Sequence, residues 1–244
     1  KKFKLIRYAY TLCLLSSSIL FHTSCVNKEE LQSEASIFFV PQSEKTFTRT
    51  FINGSEDINR FLVWGNYDGT PILNGTEVKK EGADWVYEPL QYWNMSATQY
   101  KFNAYTPTEA GTPSITSNTL SVSGVNSNAQ VDLVMAYAQV TKENFRKVVN
   151  MKFHHALSAI NFSFKLKEGF TYTNTYQVNN IQWSNVYTQG TFTMNGNTIT
   201  STPTGSLGKS LTLTEFTGNS FTVTSAMVSE DLLVIPQSTT SATL

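Results

Sequence analysis

Cysteine is nearly absent from this chain of 244 residues: there are two, Cys13 and Cys25, and none follows them. Beyond residue 25 no disulfide can form, and a domain of ~220 residues buries enough apolar surface to fold without one. Charge is scarce as well. Asp, Glu, Lys and Arg make up 15% of the residues and balance to a net charge of zero, which argues against the electrostatic footprint of a nucleic-acid binder. No apolar run after residue 25 reaches the ~20 residues of a membrane-crossing helix. Histidine is limited to His22, His154 and His155. The last two are adjacent, so on a strand they face opposite sides and cannot share a metal. No HExxH, no phosphate-cradling glycine loop and no Ser-His-Asp pattern is present. Glu29-Glu30 and Glu230-Asp231 lack the setting of paired catalytic carboxylates. The expectation is therefore no enzyme, no metal and no cofactor.

The first 24 residues form a leader. Lys1, Lys2, Lys4 and Arg7 are followed by an uncharged, mostly apolar stretch from Tyr8 to Phe21. A short apolar core behind positive charge is the pattern of a secretory signal. Leu20-Phe21-His22-Thr23-Ser24-Cys25 resembles the cleavage site of a bacterial lipoprotein, although His22 stands where such signals carry an aliphatic residue. The resemblance implies that Cys25 becomes the lipid-bearing N-terminus. Lys28-Glu29-Glu30 resembles the surface-export signal of Bacteroidetes lipoproteins. The leader then spans 1–24 and a lipid tether 25–33. The start at Lys1 and the polar stop at Leu244 suggest a piece of a longer frame.

Aromatic residues are 13% of the chain, and with abundant Thr they favour the pleated, half-buried surface of strands. Short alternating runs recur between turn signals. In the first half these are Ile37-Phe38-Phe39-Val40, Phe61-Leu62-Val63-Trp64, Trp85-Val86-Tyr87, Tyr100 to Tyr105, Leu120-Ser121-Val122 and Val131 to Val134. Asp68-Gly69 ends the second of these runs, and Asn74-Gly75 is an expected tight turn. The charged stretch Thr141 to Lys147 marks a boundary, either a linker or a single helical turn. The second half resumes with Val148 to Phe153, Ile160 to Leu166, Gln177 to Trp183 and Gly190 to Met194, with a turn at Asn195-Gly196. Leu211 to Thr214, Phe221 to Thr224 and Leu232 to Ile235 follow. This spacing predicts an all-β chain of two antiparallel sandwiches, 34–144 and an incomplete one at 145–244.

Several blocks, in order, resemble the fimbrillin-like proteins of Bacteroidales, subunits and anchors of lipoprotein-derived pili. They are Thr48-Arg49-Thr50, Phe61-Leu62-Val63-Trp64-Gly65, Trp85-Val86-Tyr87-Glu88-Pro89 with Tyr92-Trp93, and Tyr100 to Pro107. Asp132-Leu133-Val134-Met135-Ala136, Phe153-His154-His155-Ala156-Leu157-Ser158 and Leu233-Val234-Ile235-Pro236-Gln237 complete the series. The resemblance implies two transthyretin-like β-sandwiches in a lipoprotein on the outer membrane surface. It also implies release by an arginine-specific protease cutting near the first strand, at Arg49 or alternatively Lys45. Loss of that strand would open a groove that a neighbouring subunit fills by strand complementation. The chain is then a structural, anchor or tip subunit of an adhesive fimbria.

A different expectation attaches to the aromatic cluster. Trp85 and Trp93, with Trp64, Tyr67, Tyr87 and Tyr92, could form a stacking platform for a glycan on a stand-alone surface lipoprotein. Aromatic side chains on alternating strands more often pack into a core.

Overall fold

Alternation of apolar and polar residues builds a computed structural model made of strands. It describes residues 36–43, 52, 54–171, 176–213, 216–217 and 227–238. In chain order the first strands are β1 (Phe39–Ser43), β2 (Arg60–Tyr67), β3 (Thr70–Glu81), β4 (Asp84–Val86) and β5 (Gln99–Thr106). β6 (Thr112–Thr116), β7 (Thr119–Asn126), β8 (Val134–Thr141) and β9 (Val149–His155) follow. β10 (Ser158–Ile160), β11 (Ser163–Phe164), β12 (Ile181–Val186), β13 (Gln189–Asn195) and β14 (Thr198–Thr204) come next. The last are β15 (Lys209–Leu213), β16 (Phe216–Thr217), β17 (Met227–Ser229) and β18 (Leu232–Val234). Among the described residues the only helical elements are short 3-10 turns, one of them Lys142–Asn144 in the expected charged stretch.

A seven-stranded sheet runs β1-β9-β8-β5-β2-β3-β4, and a four-stranded sheet runs β14-β13-β7-β6. The two enclose a core. Trp64, Tyr105 and Met135 enter it from the large sheet; Leu120, Val122, Phe192 and Met194 enter it from the small one. This is a β-sandwich. The opposite face of the large sheet carries a second core of Phe61, Val63, Tyr100, Phe102, Ala104, Met151 and Phe153, closed by Tyr87, Trp93 and Phe145. The central strand β5 is thus covered on both faces, and every residue from Phe102 to Thr106 is buried. A third cluster, Val186, Leu211, Leu232 and Val234, gathers the short sheets of the second half.

Strand pairing does not stop at the expected 144/145 boundary. β9 completes the large sheet beside β8, because Met151 and Phe153 alternate into the first core. β13 pairs with β7, so the small sheet takes two strands from each half of the sequence. The expected turn at Asn74-Gly75 is also different. Both residues lie inside β3, where Val63 pairs with Thr76 and Trp64 with Asn74. Gly75 is the extra residue of a β-bulge, at φ +68°, with the Trp64 ring against its Cα. The Ile160-to-Leu166 run is split into β10 and β11, and Phe221 to Thr224 lies outside the described residues.

Phe102 is the hinge of the aromatic core. Its ring makes edge contacts with Phe39 (5.1 Å) and stacks with Tyr100 (5.9 Å). Gly65 leaves space for it: a Cβ there would lie 2.7 Å from the Phe102 ring. Phe102→Ala should cost roughly 3–5 kcal/mol of stability, since the cavity lies in a fully packed site. Urea denaturation of the purified chain measures it; a loss under about 1 kcal/mol would contradict this packing.

Candidate functional site

The segment from Ser36 to Ser43 forms one edge of the large sheet. Its alternation places Ile37 and Phe39 at 0% and 1% exposure while Val40 and Gln42 face outward. On one side β1 pairs with β9 in register Phe39↔Val149 through Ser43↔Phe153. That pairing is parallel, whereas the other strand pairings of this sheet are antiparallel. The Val149 amide donates to the Phe38 carbonyl at 2.7 Å. On the other side the segment meets the loop before β5. The Ile37 amide donates to the Gln91 carbonyl at 2.9 Å, and Ser36 bridges to Tyr92.

Tyr87 ties these pieces together. Its hydroxyl donates to the Ile37 carbonyl at 2.8 Å and accepts from the Gln91 amide at 3.1 Å. Its ring lies 5.6 Å from that of Phe39. Burial pushes the Tyr87 phenol up to about 12, because ionisation would place a charge in the core. Beside it a groove of about 1220 Å³ is lined by Phe38, Trp85, Tyr87 and Leu90.

Ile52 is held by a carboxylate. Asp132, which is buried, accepts from the Ile52 amide at 3.2 Å and from His155 Nδ1 at 3.0 Å. The contact joins the approach to β8, the end of β9 and the first described residue after Ser43. Nothing in the sequence links Asp132 with His155. Their separation carries no pairing signal, since partners across a sheet are set by register. His155 is therefore engaged with a carboxylate.

Among the sequence-predicted sites, Cys25, Lys45 and Arg49 lie outside the described residues. The two stacking candidates are separated by their surroundings. Trp85 is half-buried, with its ring 5.5 Å from Phe61. Trp93 is 7% exposed, stacked on Phe145 at 5.1 Å and edge-on to Tyr100 at 4.7 Å. With its ring covered by core aromatics, Trp93 offers no face to a sugar.

Tyr87→Phe should leave the Ile37 carbonyl and the Gln91 amide unsatisfied, at a cost of roughly 1–3 kcal/mol. The native chain should also lose stability as pH rises from 10 toward 12, because the unfolded phenol ionises first. The variant should lack that part of the alkaline loss. Thermal melts across this range measure both effects; identical alkaline profiles would contradict the assignment.

The model of the fimbrillin-like family matches residues 32–244. No curated protein matches the chain. A solved structure of a candidate cell adhesion protein from Bacteroides uniformis has a TM-score of 0.51 and 18% identity, covering 84% of this chain and 76% of that one. A fimbrial protein from Bacteroides vulgatus has a TM-score of 0.46 and 15% identity, covering 83% and 77%. At such identity, likeness to the first speaks for the fold alone. The family match extends over most of the sequence: this chain belongs to the fimbrillin-like family.

Proposed function

We propose that this protein is a subunit of a surface fimbria, delivered as a lipoprotein and assembled by exchange of its first strand. The fimbrillin-like family is structural rather than enzymatic, and membership supports a fimbrial role at the cell surface. The observation that carries the finer reading is the parallel pairing of β1. The first described segment is held between β9 and the loop at Gln91, with Ile37 and Phe39 in the core, which supports reading it as a removable part of the sheet. Its covalent link onward passes through 44–51, which contains Lys45 and Arg49.

A cut after Arg49 would leave β1 held by hydrogen bonds and side-chain burial alone. Its departure would uncover Val149, Met151 and Phe153, an alternating apolar row with unpaired amides. Such an edge is a template for another strand. Main-chain bonds would supply affinity, and the sites vacated by Ile37 and Phe39 would select side chains. A lipid on Cys25 would hold the subunit at the outer membrane until the cut separates it from the folded part. A stalk subunit would lose that tether; an anchor would keep it.

Incubating the full chain with an arginine-specific protease tests this. One discrete product starting at Thr50 is expected, together with fibres visible by electron microscopy. Arg49→Ala should slow that product by more than about tenfold, since only the scissile residue changes. A product starting elsewhere, or none, would sink the cleavage assignment.

A further inference from the structure

The chain has seven prolines; Pro41, Pro113 and Pro203 lie in edge strands of the two large sheets, and Pro71 lies in the part of β3 that β4, paired only at Lys79 to Glu81, leaves uncovered. Their positions within those strands are alike. In a two-residue hairpin the pair closing the turn exchanges hydrogen bonds, and the next pair does not. Tyr67↔Thr70 closes the turn between β2 and β3, so Pro71, opposite Asn66, turns its nitrogen away from β2. Thr116↔Thr119 closes the turn between β6 and β7, and three residues back Pro113, opposite Val122, turns away from β7. Asn195↔Thr198 closes the turn between β13 and β14, and Pro203, opposite Gly190, turns away from β13.

Pro41 follows the rule for a parallel ladder. The Phe38 carbonyl accepts from Val149, so Phe38, Val40 and Gln42 present their backbone to β9 while Phe39, Pro41 and Ser43 present theirs to the opposite side. At all four places proline forfeits no hydrogen bond within its own pairing. What it removes is the donor that an outside strand would need. The edge strand β4 is short and carries exposed Asp84, two further ways of discouraging addition. β9 is different. It has no proline from Val149 to His155, and β1 is what covers its edge.

We propose that Pro41, Pro71, Pro113 and Pro203 close the sheet edges of this protein against strand addition, leaving β9 as the long edge that can accept an extended strand from a second copy of the chain. The acceptance at β9 rests on the strand-exchange reading above; the closure of the other edges does not. Closure gives fibre growth one direction. Without it, subunits crowded at a membrane surface could pair sideways through β3, β6 or β14.

The test uses the uncut full chain carrying Pro71→Thr, Pro113→Thr and Pro203→Thr, singly and together. Threonine restores the amide and suits a strand. The triple variant should self-associate without protease at a concentration at least about tenfold lower than the native chain, as sedimentation reads it. In the associated form, the outward-turned amides of Ile115 and Ile199 should gain protection from hydrogen exchange. A folded triple variant that stays monomeric wherever the native chain does would overturn the proposal. So would association that leaves those amides unprotected, because it would proceed by another surface. Closure as expected, with no fibres after the arginine-specific cut, would count against strand exchange while leaving edge closure standing.

Discussion

The structure depends on the strand at one edge of the large sheet, whose pairing is the only parallel one there among the described residues. Ile37 and Phe39 fill the aromatic core, and the ladder to β9 closes an edge that would otherwise expose Val149, Met151 and Phe153. Parallel pairing is slightly weaker per residue than antiparallel pairing. Much of the hold therefore rests on the buried side chains of Ile37, Phe39 and Pro41 and on the Tyr87 hydroxyl, which satisfies one polar group on the edge segment and one on the loop opposite. On the proposed reading, a strand of the same pattern can take its place.

The rest of the fold makes that replacement tolerable. β5 lies at the centre of the large sheet with cores on both faces. One core is shared with the small sheet and does not touch β1 at all. Loss of β1 would therefore open one margin of one core and leave the sandwich standing. The Asp132 contacts to Ile52 and His155 hold the chain past that margin, so the body would remain anchored there if β1 left.

Much of this was legible in the sequence and some could not be. Strands at Phe61, Tyr100 and Gly190 follow from alternation, which reports burial directly. Alternation is blind to direction, however: the pattern around Phe39 is the same for a parallel partner as for an antiparallel one. It is also blind to partner choice, which is why a boundary near 145 was a natural reading while β9 and β13 pair across it. Asn74-Gly75 carries the chemistry of a turn, but positive φ serves a bulge equally well, and the Trp64 ring decides which. Trp85 and Trp93 look equivalent in the sequence; only packing against Phe145 and Tyr100 separates them. The prolines were visible individually, yet their shared meaning appears only when register shows which way each nitrogen points.

Hydrogen exchange at β9 tests the central claim most directly. In the intact chain the amides of Val149, Met151 and Phe153 face β1 and should exchange slowly. After a cut at Arg49 and removal of the released segment, they should exchange at least about tenfold faster. Adding a peptide of residues 36–43 should restore their protection, while the amides of β5 stay slow throughout. If the β9 amides remain protected once the segment is gone, or if β5 opens with them, the first strand is not a replaceable part of this sheet.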